Sequence, residues 1–133
     1  MEINNLLKNT RILHLPSPAY RHEMKYQIDQ RQKSVLQIRA ASVMQLDSHA
    51  AEKGYYRISS LYFDTAADRC LLENLSGSDP RTKYRIRIYN DDLRFISFEK
   101  KSKLRGMCRK ESCRITEEEC RWLMEGKLPP THA

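Results

Sequence analysis

Three stretches of the chain place charged side chains at every second position: Arg21-x-Glu23-x-Lys25, Lys83-x-Arg85-x-Arg87 and Glu99-x-Lys101-x-Lys103. A β-strand sends residues i, i+2 and i+4 to one face, so each stretch predicts a strand with one charged, mostly cationic face. Arginine and lysine together suit a phosphate chain. Arg85 and Arg87 offer planar forks for bidentate contact with phosphate oxygens, while Lys25, Lys83, Lys101 and Lys110 supply compact, mobile charges. Cations crowded on one wall repel one another when it is empty, and a triphosphate or longer chain relieves that repulsion. Phosphoryl transfer rests largely on positioning and electrostatic stabilisation, so such a wall supports it without a nucleophilic side chain. The competing reading is a solvated face, which ordinarily intersperses both signs. Lys83, Arg85 and Arg87 have no acid at their alternating positions, and Glu23 and Glu99 stand among cations that they are placed to orient, a role favoured over metal ligation.

The basicity is local. Arg21, Lys25, Lys83, Arg85, Arg87, Lys101, Lys103 and Lys110 are eight cations against the two carboxylates of Glu23 and Glu99, a net +6 of the formal +7. A localised field of this kind points to an anionic ligand more than to a diffuse solubility charge. At 133 residues the chain has room for one core and not for two. Cys70, Cys108, Cys113 and Cys120 form no C-x-x-C pair and have no histidine at ligand spacing, which argues against zinc and for small core fillers. No signal-peptide pattern opens the chain and no apolar run approaches the roughly 18 residues of a membrane span, so reduced cysteines and a cytoplasmic location are expected.

The elements that must carry these residues follow from periodicity and punctuation. Residues 1–19 are a lead-in ending at Pro16-Ser-Pro18. A strand is expected over about 20–28, then a helix from Asp29, with Gln32 completing a capping box, to about 46 through Leu36, Ala40, Val43 and Met44. A second strand runs from Tyr55 to Phe63, and Thr65-x-x-Asp68 reads as a capping box for a short helix that Gly77 stops. Strands over about 82–90, 94–103 and 107–115, joined by Asn90-Asp91-Asp92 and Arg105-Gly106, form an antiparallel meander. Thr116-x-x-Glu119 caps a last helix, and 127–133 is a tail. The count is five strands and three helices, an α+β domain whose strands are too few to close a barrel.

Read in order, Arg21-His-Glu23-Met-Lys25-Tyr26, Ser60-Leu-Tyr62-Phe63-Asp64-Thr65, Arg81-x-Lys83-Tyr-Arg85-Ile-Arg87-Ile-Tyr89, Phe98-Glu99-x-Lys101-x-Lys103 and Lys110 resemble the VTC domain, the polyphosphate polymerase branch of the triphosphate tunnel metalloenzymes. The resemblance covers about residues 20–126. It implies an antiparallel β-sheet forming half of a triphosphate-tunnel barrel with about three flanking helices, and transfer of the γ-phosphate of ATP to a polyphosphate chain. By the same resemblance Lys25, Arg85, Arg87, Lys101 and Lys110 are the catalytic grip, and Arg21, Glu23, Lys83, Glu99 and Lys103 join them as substrate-binding residues. The Tyr62-Phe63-Asp64-Thr65 segment matches a signature that is structural rather than catalytic, its aromatics in the core.

Departures from the family pattern sharpen the expectation. Arg21 stands where relatives that hydrolyse triphosphates carry a first glutamate, which favours the polymerase-like branch; Lys100 stands where the family usually has an apolar residue packing outward, so that strand's outer face is expected to be partly wet, and Arg109 beside Lys110 is also unusual. The resemblance implies a divalent cation, manganese or magnesium, for a complete domain, and places its main carboxylate ligand on later strands together with a further arginine and lysine. No metal ligand is therefore assigned in this chain, and three outcomes stand beside one another: a fragment of a polymerase domain binding ATP and polyphosphate, self-association through the open sheet edge, or a non-catalytic polyphosphate-binding regulatory subunit. A nucleic-acid-binding β-module is disfavoured, since stacking needs aromatics on the charged face and parity assigns only Tyr89 to it.

Overall fold

The computed structural model describes residues 19–50 and 54–127. Strand β1 (Arg21–His22) is followed by helix α1 (Gln30–Ala41), strand β2 (Ile58–Phe63), helix α2 (Arg69–Leu75), strands β3 (Arg81–Tyr89), β4 (Ile96–Leu104) and β5 (Met107–Ile115), and helix α3 (Glu117–Met124). The strands form one open antiparallel sheet in the order β1-β5-β4-β3-β2, with the expected meander at its centre and no closure into a barrel.

Turn chemistry fixes the register. Arg105 and Gly106 both take positive φ, 49° and 77°, the geometry of a two-residue hairpin turn, and both of their amides donate to the Asp79 carboxylate at 2.9 and 2.6 Å. At the other end Asn90 and Asp91 adopt left-handed backbone. Asn90 ties the start of β2 to this turn, accepting from Arg57 N–H at 3.0 Å and donating its own amide to the Arg57 carbonyl at 2.8 Å.

One face of the sheet builds the core. Tyr84, Ile86, Ile96 and Phe98 are buried, and Phe63, Ile88, Cys113 and Ile115 pack against them together with Cys120 and Leu123 of α3. Phe98 stacks on Tyr84 and meets Phe63 edge-on at 6.0 Å. Helix α3 is held by the expected box: Thr116 Oγ1 accepts from Glu119 N–H at 3.1 Å, and Glu119 returns a carboxylate to Thr116 N–H at 2.7 Å. Burial and the nearby Glu119 carboxylate push the Cys113 thiol up to about 11, which keeps it protonated as core filling.

Several expectations need correction. The first strand is two residues long rather than nine, because Arg21 pairs with Cys108 and His22 with Met107, and the next residue, Glu23, runs past the start of β5 at the Gly106 turn. Helix α1 has the predicted Asp29–Gln32 capping box but ends at Ala41, where the Ser42 hydroxyl donates to the Arg39 carbonyl at 2.7 Å; it buries no side chain, so the apolar spacing of Leu36, Val43 and Met44 does not mark a core face. Strand β2 starts at Ile58, not Tyr55, and residues 93–95 form a 3-10 turn before β4. Thr65-x-x-Asp68 is not a capping box. Asp68 sits at φ 50° without a capping bond; the Thr65 hydroxyl accepts from Arg69 N–H at 3.2 Å, and most of the work falls to Asp64, whose carboxylate accepts from Thr65, Cys70 and Leu71 N–H at 2.7, 2.7 and 3.0 Å. Helix α3 ends at Met124 rather than about 126. Residues 1–18 of the lead-in and 128–133 of the tail lie outside the described residues.

Candidate phosphate-binding face

Cα partners in an antiparallel sheet point to the same side, so the register reads off the second face in rows. The first is Arg81, Lys103, Cys108 and Arg21; the second is Lys83, Lys101 and Lys110; the third is Tyr62, Arg85, Glu99 and Ser112; the fourth is Ser60, Arg87, Ser97 and Arg114. Successive rows lie about 7 Å apart along the strands. They contribute three, three, one and two cations, nine in all, against the single carboxylate of Glu99. Glu23, beyond the end of β1, folds its side chain back onto this face, where both carboxylate oxygens lie 2.8 Å from Lys101 Nζ.

Each cation at the centre of the face has an identifiable holder. Glu99, only 3% exposed, accepts from Arg85 Nε at 2.7 Å and pairs with Nη2 at 2.5 Å, and its other oxygen lies 3.8 Å from Lys110 Nζ. Arg85 Nη1 donates to the Tyr62 hydroxyl at 2.9 Å, with the guanidinium 5.7 Å from the tyrosine ring centre. Arg87 Nε donates to Ser60 Oγ at 3.3 Å, and Lys83 Nζ to Asn74 Oδ1 of α2 at 2.6 Å. Arg85 is thus held through Nε and Nη2 by Glu99 and through Nη1 by Tyr62, which fixes the plane of its guanidinium.

The electrostatics follow from these contacts. Hydrogen bonds from Lys101, reinforced by its charge, hold the Glu23 carboxyl below its ordinary value. Burial works against the Arg85 charge, and the bonds to Glu99 and Tyr62 outweigh it, so the guanidinium stays charged. Lys83 is pulled the other way: burial first, then repulsion from Arg81 and Lys25, lower its pKa.

Of the site residues expected from the sequence, Arg21, Lys83, Arg85, Arg87, Glu99, Lys101, Lys103 and Lys110 share the face by register, and Glu23 joins them through Lys101. Lys25 is off the ladder, in irregular chain past β1, although its charge still acts on Glu23 and Lys83. Sequence reasoning missed Arg81 and Arg114, which merely extend the alternations Arg81-x-Lys83 and Lys110-x-Ser112-x-Arg114. It also misplaced Tyr62, which is 55% exposed on the charged face rather than in the core; the parity of Ser60-x-Tyr62 against Leu61-x-Phe63 carries that signal. Tyr89 therefore does not stand alone there as an aromatic. On the outer face Lys100 and Arg109 converge on Glu111, at 3.8 and 3.2 Å, and Arg109 lies over the Tyr20 ring at 5.1 Å, so this end is partly polar as expected.

A divalent cation does not fit the residues present. Glu99 and Glu23 are the carboxylates of the face and both are committed to cations, and no group of three potential ligands occurs among the described residues. No helix among the described residues is long and apolar enough to cross a membrane.

No curated protein and no solved structure matches the chain. The VTC domain family does, over residues 20–132, a span that contains the whole sheet and every cation of the face; the chain belongs to the VTC domain family.

Proposed function

We propose that the cationic face binds the phosphate chain of ATP or of polyphosphate, and that in a complete VTC domain it serves transfer of the γ-phosphate of ATP to a growing polyphosphate. The observation that carries this reading is the set of nine cations on one face of a VTC-family sheet, with two carboxylates spent on holding them. In the transfer a terminal oxygen of polyphosphate attacks the γ-phosphorus, the bond to the β–γ bridging oxygen breaks, and ADP leaves. Negative charge spread over the moving phosphoryl group is what fixed cations stabilise. Arg85 offers a guanidinium held in a set orientation, Arg87 a less constrained fork, and Lys83, Lys101 and Lys110 line the row beside Arg85. Lys25, Arg21 and Lys103 extend the positive field towards one end of the sheet.

The test is calorimetry with tripolyphosphate. Arg85→Ala with Arg87→Ala should abolish binding, with circular dichroism verifying the fold, and unchanged affinity would overturn the site. Arg87→Ala alone, which strands no carboxylate, should weaken binding about tenfold. Binding without ATP turnover is the outcome shared by a polyphosphate-binding regulatory subunit and by a chain that needs further elements for transfer, whereas turnover by this chain alone would exclude the regulatory reading. A second reading, single-stranded nucleic acid, gains from the exposed Tyr62 ring on the charged face, the kind of surface on which a base stacks. Both ligands are polyanions and both weaken with salt, so competition between polyphosphate and single-stranded DNA, rather than salt dependence, separates them.

A further inference from the structure

The holders of the cations differ in kind across the face. Lys101 and Lys110 face carboxylates, those of Glu23 and Glu99, while Arg114, at the far end of β5, donates to the Arg94 carbonyl at 2.9 Å and lies over the Phe95 ring. Lys83 and Arg87 face neutral oxygens, the Asn74 amide at 2.6 Å and the Ser60 hydroxyl at 3.3 Å, and Arg85 divides its donors between Glu99 and the Tyr62 hydroxyl. A carboxylate fixes a cation and cancels its charge; an amide or hydroxyl oxygen fixes it and leaves the charge for a ligand. We propose that Asn74, Tyr62 and Ser60 are positioning residues for Lys83, Arg85 and Arg87, and that their neutrality makes β3 the strand that takes up the charge of a bound phosphate chain.

The proposal rests on the phosphate-binding reading above and assigns its charge acceptance to one strand. Three observations support it independently of any ligand. Tyr62 and Ser60 are the registered neighbours of Arg85 and Arg87, so β2 supplies one hydroxyl to each arginine. Asn74 comes from a different element, α2, whose end is fixed by a Gly77 at φ 71° and by a Ser78 N–H to Glu73 carbonyl bond of 3.0 Å, so the amide is carried on a closed helix terminus. Lys83, moreover, is surrounded by groups that do not neutralise it: Arg81 on its own strand, Tyr62 on β2, Lys101 opposite on β4, Lys25 beyond β1, and the Cys70 thiol of α2. Its lowered pKa is the expected signature of a positioned but uncompensated ammonium.

Asn74→Asp tests this with almost no change of shape. The variant should weaken tripolyphosphate binding at neutral pH about tenfold and raise the Lys83 pKa by about one unit, read by NMR of the lysine Nζ without ligand. The alkaline limb of the binding profile should move up with it, a change that a merely structural role for Asn74 does not produce. Tyr62→Phe, which keeps the ring and removes the acceptor, should weaken binding about threefold and lower thermal stability only by the small amount that one hydrogen bond to an arginine contributes. Affinities within twofold of wild type in both variants, or an unmoved Lys83 titration in Asn74→Asp, overturn the assignment. Failure of the wild-type protein to bind tripolyphosphate instead overturns the phosphate-binding reading, and the Lys83 titration then still decides whether Asn74 positions it.

Discussion

β3 and the β4–β5 hairpin carry comparable numbers of cations on the same face, yet the two are built differently. On β4–β5, Lys101 and Lys110 sit against Glu23 and Glu99, and Glu99 is buried while also gripping Arg85. On β3, Lys83 and Arg87 are held by Asn74 and Ser60, neutral groups that bring no counter-charge. Crowded cations without compensation would open the sheet, and cations all compensated would bind nothing. One face solves both problems by placing the carboxylates where they secure the sheet and the neutral holders where a ligand must be met.

The largest expected effect is on the securing side. Glu99→Gln leaves the Arg85 guanidinium, 15% exposed, without its charge partner in a half-dry environment, and removal of one member of a buried pair costs about 3–5 kcal/mol. Urea denaturation should show this loss with an unchanged slope. A loss below about 1 kcal/mol would mean that Glu99 does not secure the sheet, and the contrast between the two regions would collapse.

Arg87→Ala probes the ligand-meeting side. Arg87 donates to the Ser60 hydroxyl at a long 3.3 Å and enters no ion pair among the described residues, so its removal should move stability by no more than about 0.5 kcal/mol while costing the tenfold in tripolyphosphate affinity expected above. Arg87→Lys should recover part of that affinity, since the charge returns but the bidentate fork does not. A stability loss comparable to that of Glu99→Gln would place Arg87 with the securing residues.

How much of this contrast the sequence displayed depends on the distance over which each feature is encoded. Lys83-x-Arg85-x-Arg87 and Glu99-x-Lys101-x-Lys103 are legible because a strand converts a two-residue period directly into a face; the Asn90–Asp92 turn leads β3 into β4, and the Arg105-Gly106 turn aligns β4 with β5. Tyr62 is easily taken for core because it is an aromatic in a strand, yet its parity with Ser60 against Leu61 and Phe63 already sets its side, and the pairing of Tyr62 with Arg85 makes that side the charged one. Asn74 was invisible: nothing in a helix-terminal asparagine announces a lysine nine residues later until α2 folds back on β3. Strand β1 failed for a related reason, since its length is set by where β5 begins at Met107 rather than by its own alternation.

The smallest expected effect is also the most discriminating. Glu23→Gln keeps a hydrogen-bond acceptor for Lys101 and removes its counter-charge, converting one carboxylate holder into a neutral one. Both side chains are partly exposed, so the stability cost should be about 0.2–1 kcal/mol. Because the folded carboxyl titrates below its ordinary 4.5, its stabilisation is present above that value and is lost as pH falls through the folded pKa, and the acid limb of the stability profile should flatten in the variant. Tripolyphosphate affinity at neutral pH should rise about threefold, as a freed ammonium joins the uncompensated set. Weaker binding instead would show that the carboxylate does more than cancel charge: Lys101 would need Glu23 to point it at the ligand, and β4 would meet phosphate alongside β3.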